Sequence, residues 1–475
     1  MTESSLALDQ ESKRYPLSFM QEWFLTLDTG DEGGTFGSTF ILVAAMRVTG
    51  PVDLAVLQGA LDDVVARHEV LRTLVVRDAD PPHQQVFPPC QVPLEVRDLP
   101  PVNGKSRDQV VQEMIHQAGA GSVSAREVPM LRALLGKFDE RDSILILTVH
   151  HSATDAWSVN LILRDLGAFY AARRTGTPPE LPPVRQYREF AQWQRANATS
   201  TAEDGAPRYW QRKLDGAREF TMPNDHGHPE SYSRPYSLHV YVIGADVMSA
   251  ASALATATRS TLFTVMLSAF YVLAHKLTGE SDLAIRAFTA GRGELEFQNT
   301  VGLFFNCVPF RTDIADCTSF RDIVMATRET FIDAIAHELP VNVIEQTFPD
   351  FIKSRDNLRT SQFIISDIPS ESGDYPILPI AEGARAVSGQ QSEKEEHHDI
   401  PSGTVWNLSV EPSGEHSGSI LFNLDEFDES TVKGWAAGLR RILTGAVREP
   451  DSDWRLLAGP AARQENPVQG LEQIC

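Results

Sequence analysis

Ser143-Ile144-Leu145-Ile146-Leu147-Thr148-Val149-His150-His151-Ser152-Ala153-Thr154-Asp155-Ala156-Trp157-Ser158 decides how this chain folds and where its chemistry sits. Residues 143–149 are a nearly unbroken apolar run bounded by charge, which predicts a central, buried strand. The run leads directly into His150 and His151. A helix follows, beginning near Trp157 and predicted over about 159–170, with Leu161, Ile162, Leu166 and Phe169 on it. The polar cluster therefore falls in the turn at the end of a buried strand, where a rigid element holds a side chain in place and the turn exposes it. Successive side chains on a strand point to opposite faces, so one histidine is expected to face a cavity or solvent while the other packs inward. Asp155 is close enough in sequence to fold back toward either one.

A histidine that titrates near neutrality can take a proton from an amine or hydroxyl attacking a carbonyl. It can instead position that nucleophile by hydrogen bonding, or stabilise developing charge. The motif alone leaves these three roles open, beside a structural one in which both rings cap the strand end. A metal site is disfavoured, because adjacent histidines on a strand diverge and no third ligand stands nearby. Ser152 and Thr154 lack the spacing of a nucleophile elbow. Gly291-Arg292-Gly293 lacks the pattern of a phosphate cradle.

Outward from the motif, 53–68 carries Leu54, Leu57, Leu61, Val64 and Val65 at helical spacing. A short buried helix is expected near 15–25, strand structure over 36–48 and 71–76, and helices over 106–118 and 187–193. The alanine-, threonine- and acid-rich stretch 196–205 reads as a linker between two lobes, 15–196 and 206–450. Beyond it, 236–243 is predicted as a strand, 253–277 as one helix or two, 301–309 and 361–365 as β, 388–399 as an exposed loop, and 405–410 with 418–423 as a hairpin. The last helix is expected over 428–443, with Asp428 as its N-cap. The pattern is that of a two-lobed α/β (α+β) protein.

Size and charge fit this reading. A chain of 475 residues exceeds what one core usually supports. Hydrophobic residues at 42% and charged residues at 22% are ordinary for a globular fold. The net charge of -22 repels nucleic acid and anionic lipid in bulk. No signal peptide or membrane span is read. Cys90, Cys307, Cys317 and Cys475 have neither metal-ligand nor disulfide-framework spacing, so a cytoplasmic location is expected.

Several ordered motifs resemble the condensation domains of nonribosomal peptide synthetases, within the superfamily that contains chloramphenicol acetyltransferase. The resemblance spans nearly the whole chain. It is carried by Pro16-Leu17-Ser18 with Gln21, by Arg67-His68-Glu69-Val70-Leu71-Arg72-Thr73, and by His150-His151-Ser152-Ala153-Thr154-Asp155-Ala156-Trp157-Ser158. Tyr187, Phe190, Ala191 and Trp193 continue it, followed by Gly291-Arg292, Val301-Gly302-Leu303-Phe304-Phe305-Asn306, and His337 with Pro340. The resemblance implies two acetyltransferase-like lobes in a V-shaped pseudo-dimer with an active-site tunnel between them. It implies that His151 is the catalytic residue, as base, positioner or stabiliser of the tetrahedral intermediate. His150, Asp155 and Arg292 would be structural, with Asp155 pairing to Arg292. Ala156, Trp157, Ser158 and Asn306 would contact the tunnel or its loops.

The resemblance further implies an acyl or peptidyl carrier protein as partner, delivering the substrate as a thioester on phosphopantetheine. The acceptor would be an amine or alcohol, either a free small molecule or itself carrier-bound, and no bound cofactor, metal, nucleic acid or membrane is expected. No adenylation or carrier region is read, so a free-standing bacterial enzyme forming amide or ester bonds in secondary metabolism is expected. Rival readings are an epimerisation domain, a coenzyme A-dependent acyltransferase and a noncatalytic recruitment module. Ala156 stands where the family has glycine, so a backbone that needed a positive φ or a close approach there would impair turnover. Cys307 and Val308 stand where the family often has threonine after the asparagine. Arg67, Glu69 and Arg72 read as a structural ion-pair network, Tyr187 and Trp193 as core aromatics, His337 as a helix cap, and His397-His398 as solvated surface.

Overall fold

A computed structural model describes residues 13–99, 104–197, 205–227, 236–352, 360–366, 378–387, 403–410 and 416–459. The apolar run forms the strand Asp142–His150, in the middle of a five-stranded sheet. Ile41–Thr49 and Leu131–Lys137 flank it, both antiparallel, with His150 opposite Ile41. Gly383–Val387 lies outside the former and Leu94–Asp98 outside the latter. Side-chain alternation sorts the central strand between two layers. Ile144 and Ile146 pack with Val111 and Met114 of the helix Arg107–Gly119. Leu145, Leu147 and Val149 pack with Leu57, Leu61 and Val64 of Leu54–Arg67 and with Ile162 and Leu166 of Ala156–Thr175. Both faces are covered, which is why the run reads as continuously apolar.

Local chemistry sets the element ends. Asp53 caps Leu54–Arg67 by accepting from the amides of Ala55 and Val56, and Ser106 forms a capping box with Gln109. Asp428 occupies the N-cap position of Glu429–Arg448, but its side chain makes no cap hydrogen bond and takes His226 Nε2 at 3.0 Å instead.

The second half builds a six-stranded sheet in the order Asn306–Asp313, Asp282–Thr289, Thr360–Ser366, Gly403–Val410, His416–Asn423, Tyr236–Ile243. Gly403–Val410 and His416–Asn423 form the expected hairpin, Thr404 opposite Phe422. The stretch 253–277 resolves into two helices, Ala245–Ala257 and Leu262–Thr278. Every residue from Thr264 to Ala274 is buried, within a core shared with Phe320–Ala336 and Glu429–Arg448. Each large apolar side chain there contributes about 2 kcal/mol by leaving water. These two helices together have the length and composition of a bent membrane pair, but they meet at 107° inside the core. Among the described residues no single helix is long and apolar enough to cross a membrane.

The strand expected over 301–309 begins only at Asn306. Backbone groups from Gly302 to Phe304 bond to side chains of the first half instead of joining a ladder. The strand expected over 71–76 starts at Thr73, after a 3-10 turn Glu69–Arg72. Residues 388–399, most of the linker 196–205, and Cys475 lie outside the described residues.

Large apolar clusters surround these two sheets, and among the described residues the two halves meet in three places. Gly383–Val387 pairs along Ile41–Thr49. Trp23 Nε1, on the helix Phe19–Thr26, donates to Glu345 Oε2 at 3.2 Å. Arg286 Nη1 reaches the other oxygen of Glu345 at 3.1 Å, and its Nε pairs with Glu219 Oε1 at 2.9 Å. Lastly, residues 291–304 fold against the start of Ala156–Thr175 and bring Phe297, Leu303 and Phe304 into the first cluster. The end of the central strand is therefore at the junction.

Candidate active site

The two histidines differ in burial, partners and protonation. His150 is 0% exposed. Its Nδ1 accepts from the Ser152 amide at 3.1 Å and lies 2.7 Å from the Ser152 hydroxyl, while Nε2 is 3.1 Å from the Gly37 carbonyl. An amide can only donate and a carbonyl can only accept, so the proton is on Nε2. Burial pushes His150 down to about 4, and the ring is neutral at pH 7.

His151 has the opposite tautomer. Its Nδ1 is 2.9 Å from the Thr154 carbonyl, which fixes the proton there and leaves the Nε2 lone pair free. Nε2 has no hydrogen-bond partner among the described residues. The ring stacks on Phe40 at 4.7 Å and 13°, and meets the edges of Phe24 at 6.2 Å and Phe305 at 5.7 Å. It keeps part of its surface accessible. Burial lowers its basicity too, against the pull of Asp155. The result is a neutral, oriented imidazole with an apolar surround drawn from both halves of the chain.

Neither histidine side chain bonds to Asp155. Its carboxylate caps Ala156–Thr175, accepting from the Ser158 amide at 2.7 Å, and takes Arg292 Nη2 at 3.1 and 3.2 Å and the Phe304 amide at 3.0 Å. Arg292 Nη2 also donates to Ser158 Oγ at 2.7 Å, and Nη1 to the carbonyls of Phe297 and Thr300 at 3.1 and 2.8 Å. Ser158 Oγ donates to the Gly302 carbonyl at 2.9 Å and accepts the Gly302 amide at 3.0 Å. The guanidinium lies 3.9 Å from the Phe304 ring centroid. Gly291 permits this turn. Its φ is +60°, and a Cβ there would stand 1.8 Å from the Phe304 carbonyl oxygen. A latch joins the histidine turn to the loop that carries Phe305.

Trp157 is 38% exposed and donates Nε1 to the Gln298 carbonyl at 3.1 Å. Ala156 is the first residue of the helix, exposed, and outside the positive-φ region, so the backbone makes no demand for glycine there. Asn306 is engaged with backbone: Oδ1 accepts the Val341 amide at 2.9 Å, and Nδ2 donates to the Leu339 carbonyl at 2.9 Å and to Glu338 at 2.8 Å. His68 and Arg67 both bond the buried Asp165, at 2.9 and 2.7 Å. Tyr187 is buried and donates to the Leu303 carbonyl at 2.6 Å. His337 stacks on Tyr209 at 4.3 Å. His397-His398 lies outside the described residues. Among the described residues no group of three or more His, Cys, Asp or Glu is arranged to hold a metal ion.

Sequence reasoning missed the phenylalanines. Phe24 and Phe40 lie in stretches whose pattern signals only secondary structure. Phe304 and Phe305 are neighbours in one motif, yet their side chains alternate: Phe304 goes to Arg292, Phe305 to His151.

His150 makes a testable contribution to stability. Its folded-state value, about 4, is below the unfolded value of 6.5. Above about pH 6.5 both states are neutral and the contribution is fully present. Between about 6.5 and 4 the unfolded chain binds a proton that the folded state refuses, so stability falls on acidification, by on the order of 3 kcal/mol for this group. In urea titrations, the stability gap between wild type and His150→Gln is expected to narrow from pH 7 to pH 4.5. A gap that stays constant rules out buried, neutral His150.

The sequence model of the family described as Condensation domain matches residues 11–463. The chain belongs to the condensation-domain family. Condensation-type bond formation, amide or ester, is the chemistry that goes with that membership. This condensation domain is similar to the SgcC5 protein of Streptomyces globisporus, solved in complex with (R)-(-)-1-(2-naphthyl)-1,2-ethanediol and sucrose. The two are 35% identical with a TM-score of 0.82, over 92% of this chain and 100% of that one. Phosphinothricin tripeptide synthetase PhsB of Streptomyces viridochromogenes is 30% identical over 466 residues, 94% of this chain and 37% of the relative. Chondramide synthase cmdD of Chondromyces crocatus is 29% identical over 404 residues, 84% of this chain and 10% of the relative. The condensation domain thus spans less than half the length of these curated relatives. The X-domain from teicoplanin biosynthesis shares the fold at 23% identity and a TM-score of 0.74. The two-lobed, mixed α/β architecture is that of the condensation-domain, chloramphenicol acetyltransferase-like fold.

Proposed function

We propose that this condensation domain transfers an acyl or aminoacyl group from the phosphopantetheine thioester of a carrier protein to an amine or alcohol, and that His151 is its catalytic residue. The reaction runs in a tunnel between an N-terminal lobe, 15–196, and a C-terminal lobe, 206–450, in the cytoplasm. The observation that carries this reading is the tautomer of His151: Nδ1 is tied to Thr154, and Nε2 is free and neutral. Nε2 accepts the proton of the attacking N–H or O–H as the nucleophile's lone pair adds to the thioester carbonyl. The tetrahedral intermediate collapses, the carbon–sulfur bond breaks, and the sulfur takes the proton to leave as the thiol. His150, Asp155 and Arg292 position this turn, while Trp157, Ser158 and Asn306 hold the loops around it. No metal or nucleotide is consumed, because the acyl group arrives activated, and holding two substrates together supplies much of the rate. The aryl diol bound by SgcC5 supports an alcohol acceptor and an ester product.

Intact mass spectrometry tests the reading. Purified protein is incubated with acyl-loaded carrier proteins or the matching coenzyme A thioesters, together with aryl amines and aryl alcohols. Product is expected from the carrier-bound donors. Transfer from coenzyme A alone would reject the carrier requirement, and no transfer from any donor would reject the reading.

A further inference from the structure

Three contacts decide where His151 Nε2 points, and two of them come from one residue. The Thr154 carbonyl holds Nδ1 at 2.9 Å. The Phe40 ring lies parallel to the imidazole, with 4.7 Å between centroids and 13° between planes. The Phe40 carbonyl also accepts the His151 amide at 2.9 Å, so one residue grips both the ring and its backbone. Phe24 and Phe305 meet the imidazole at 71° and 68° instead. A hydrogen bond in the ring plane and a contact over its face together leave the ring one orientation. The lone pair of Nε2 lies in that plane, so the face contact does not cover it.

Phe40 is itself clamped. It ends the turn Gly37-Ser38-Thr39-Phe40, in which the Phe40 amide donates to the Gly37 carbonyl at 3.0 Å. The same carbonyl takes the proton of His150 Nε2 at 3.1 Å. Close packing requires glycine at 37, where a Cβ would stand 2.6 Å from the carbonyl carbon of Gly33. The Ser38 amide donates to the Asp31 carbonyl at 3.0 Å, and the Asp31 carboxylate pairs with Arg77 and Arg126. The first histidine therefore holds the turn that holds the second.

Proton transfer to Nε2 makes the ring an imidazolium. Among the described residues no carboxylate bonds either of its nitrogens. The charged groups on the surrounding elements are committed elsewhere: Asp155 to Arg292, Glu22 to Arg195, and Asp28 and Asp31 to Arg77. His150 is neutral. A cation over the face of an aromatic ring, within about 6 Å of its centre, is attracted by the negative face of that ring. Phe40 stands in this relation to His151.

We propose that Phe40 is a positioning residue for the base: its ring sets the plane of His151 and stabilises the imidazolium formed in the transition state. This deepens the acyl-transfer reading and rests on it for His151 being the base. His150 acts on the reaction through the Gly37–Phe40 turn.

Replacing Phe40 with mono-, tri- and pentafluorinated phenylalanine tests this, because fluorine drains the negative face of the ring with little change in its size. Transfer from a loaded carrier to an aryl alcohol is expected to lose kcat stepwise, by about tenfold at the fully fluorinated ring, with KM for the alcohol unchanged. Phe40→Leu, which fills space without a ring, is expected to lose at least as much, and Phe40→Tyr to restore transfer. Thermal melts check that every variant folds. A second readout needs no turnover: the carbon resonance of His151 Cε1, assigned by its loss in His151→Ala, is followed against pH. A charged ring with less support titrates at lower pH, so the titration is expected to move down along the same series. A flat kcat across the fluorinated rings, or a titration that stays in place, overturns the proposal. Full transfer by His151→Ala, with the titration moving as expected, would instead remove His151 as the base.

Discussion

His151→Ala is expected to lower acyl transfer by a factor of about 10²–10⁴, the usual contribution of a positioned general base, while the protein stays folded. The variant loses one hydrogen bond to the Thr154 carbonyl and the ring contacts with Phe24, Phe40 and Phe305. Those losses amount to about 1–3 kcal/mol, within what a domain of ordinary stability survives. The pH profile should carry the same assignment. Burial lowers His151 from its ordinary value of 6.5, so the neutral base persists on acidification past that point. The acid limb of kcat/KM is expected below pH 6.5 in wild type and absent in His151→Ala. Single-turnover transfer from a loaded carrier to an aryl alcohol measures both. A variant within threefold of wild type, or one that keeps the acid limb, removes His151 as the base.

The sequence exposed the parts of this site that are local. An apolar run ending in two histidines is a strand end whatever surrounds it, and strand alternation makes the histidines unequal. His150 buried and His151 partly accessible follow from that geometry. The Asp155–Arg292 pair spans 137 positions, and only the resemblance connected the two. The Phe24, Phe40 and Phe305 surround depends on where a helix, a strand entry and a loop from different halves converge, which no periodicity encodes. The truncated strand before Asn306 has the same origin. Residues 302–304 have strand-like composition, but their backbone is engaged by Ser158, Tyr187 and Asp155 from the other half. At Ala156 the backbone makes no demand for glycine, because the residue begins a helix rather than a left-handed turn.

Asp155→Ala is expected to destabilise the condensation domain by about 3–5 kcal/mol, because it leaves the Arg292 guanidinium buried and uncompensated. Arg292 is itself 8% exposed and already pushed down by burial, so it has little water to turn to. The same change strips the helix Ala156–Thr175 of its cap and leaves the Phe304 amide without an acceptor. Arg292→Ala removes the other partner, but Asp155 keeps the amides of Ser158 and Phe304. It should therefore cost less than Asp155→Ala. Asp155→Asn keeps a cap acceptor without the charge and should fall between wild type and Asp155→Ala. Losing either partner should make loss of the second cheaper, so the double variant should be more stable than the sum of the two single losses predicts. Urea unfolding of wild type and the four variants measures these differences. Activity adds a second readout, taken at a temperature where all five are folded. The latch carries Phe305 and Asn306, and through them one wall of the His151 surround, so transfer should fall further than the folded fraction does. Equal losses for the two alanine variants, or activity that merely tracks the folded fraction, would mean that the pair supports the fold without positioning the base.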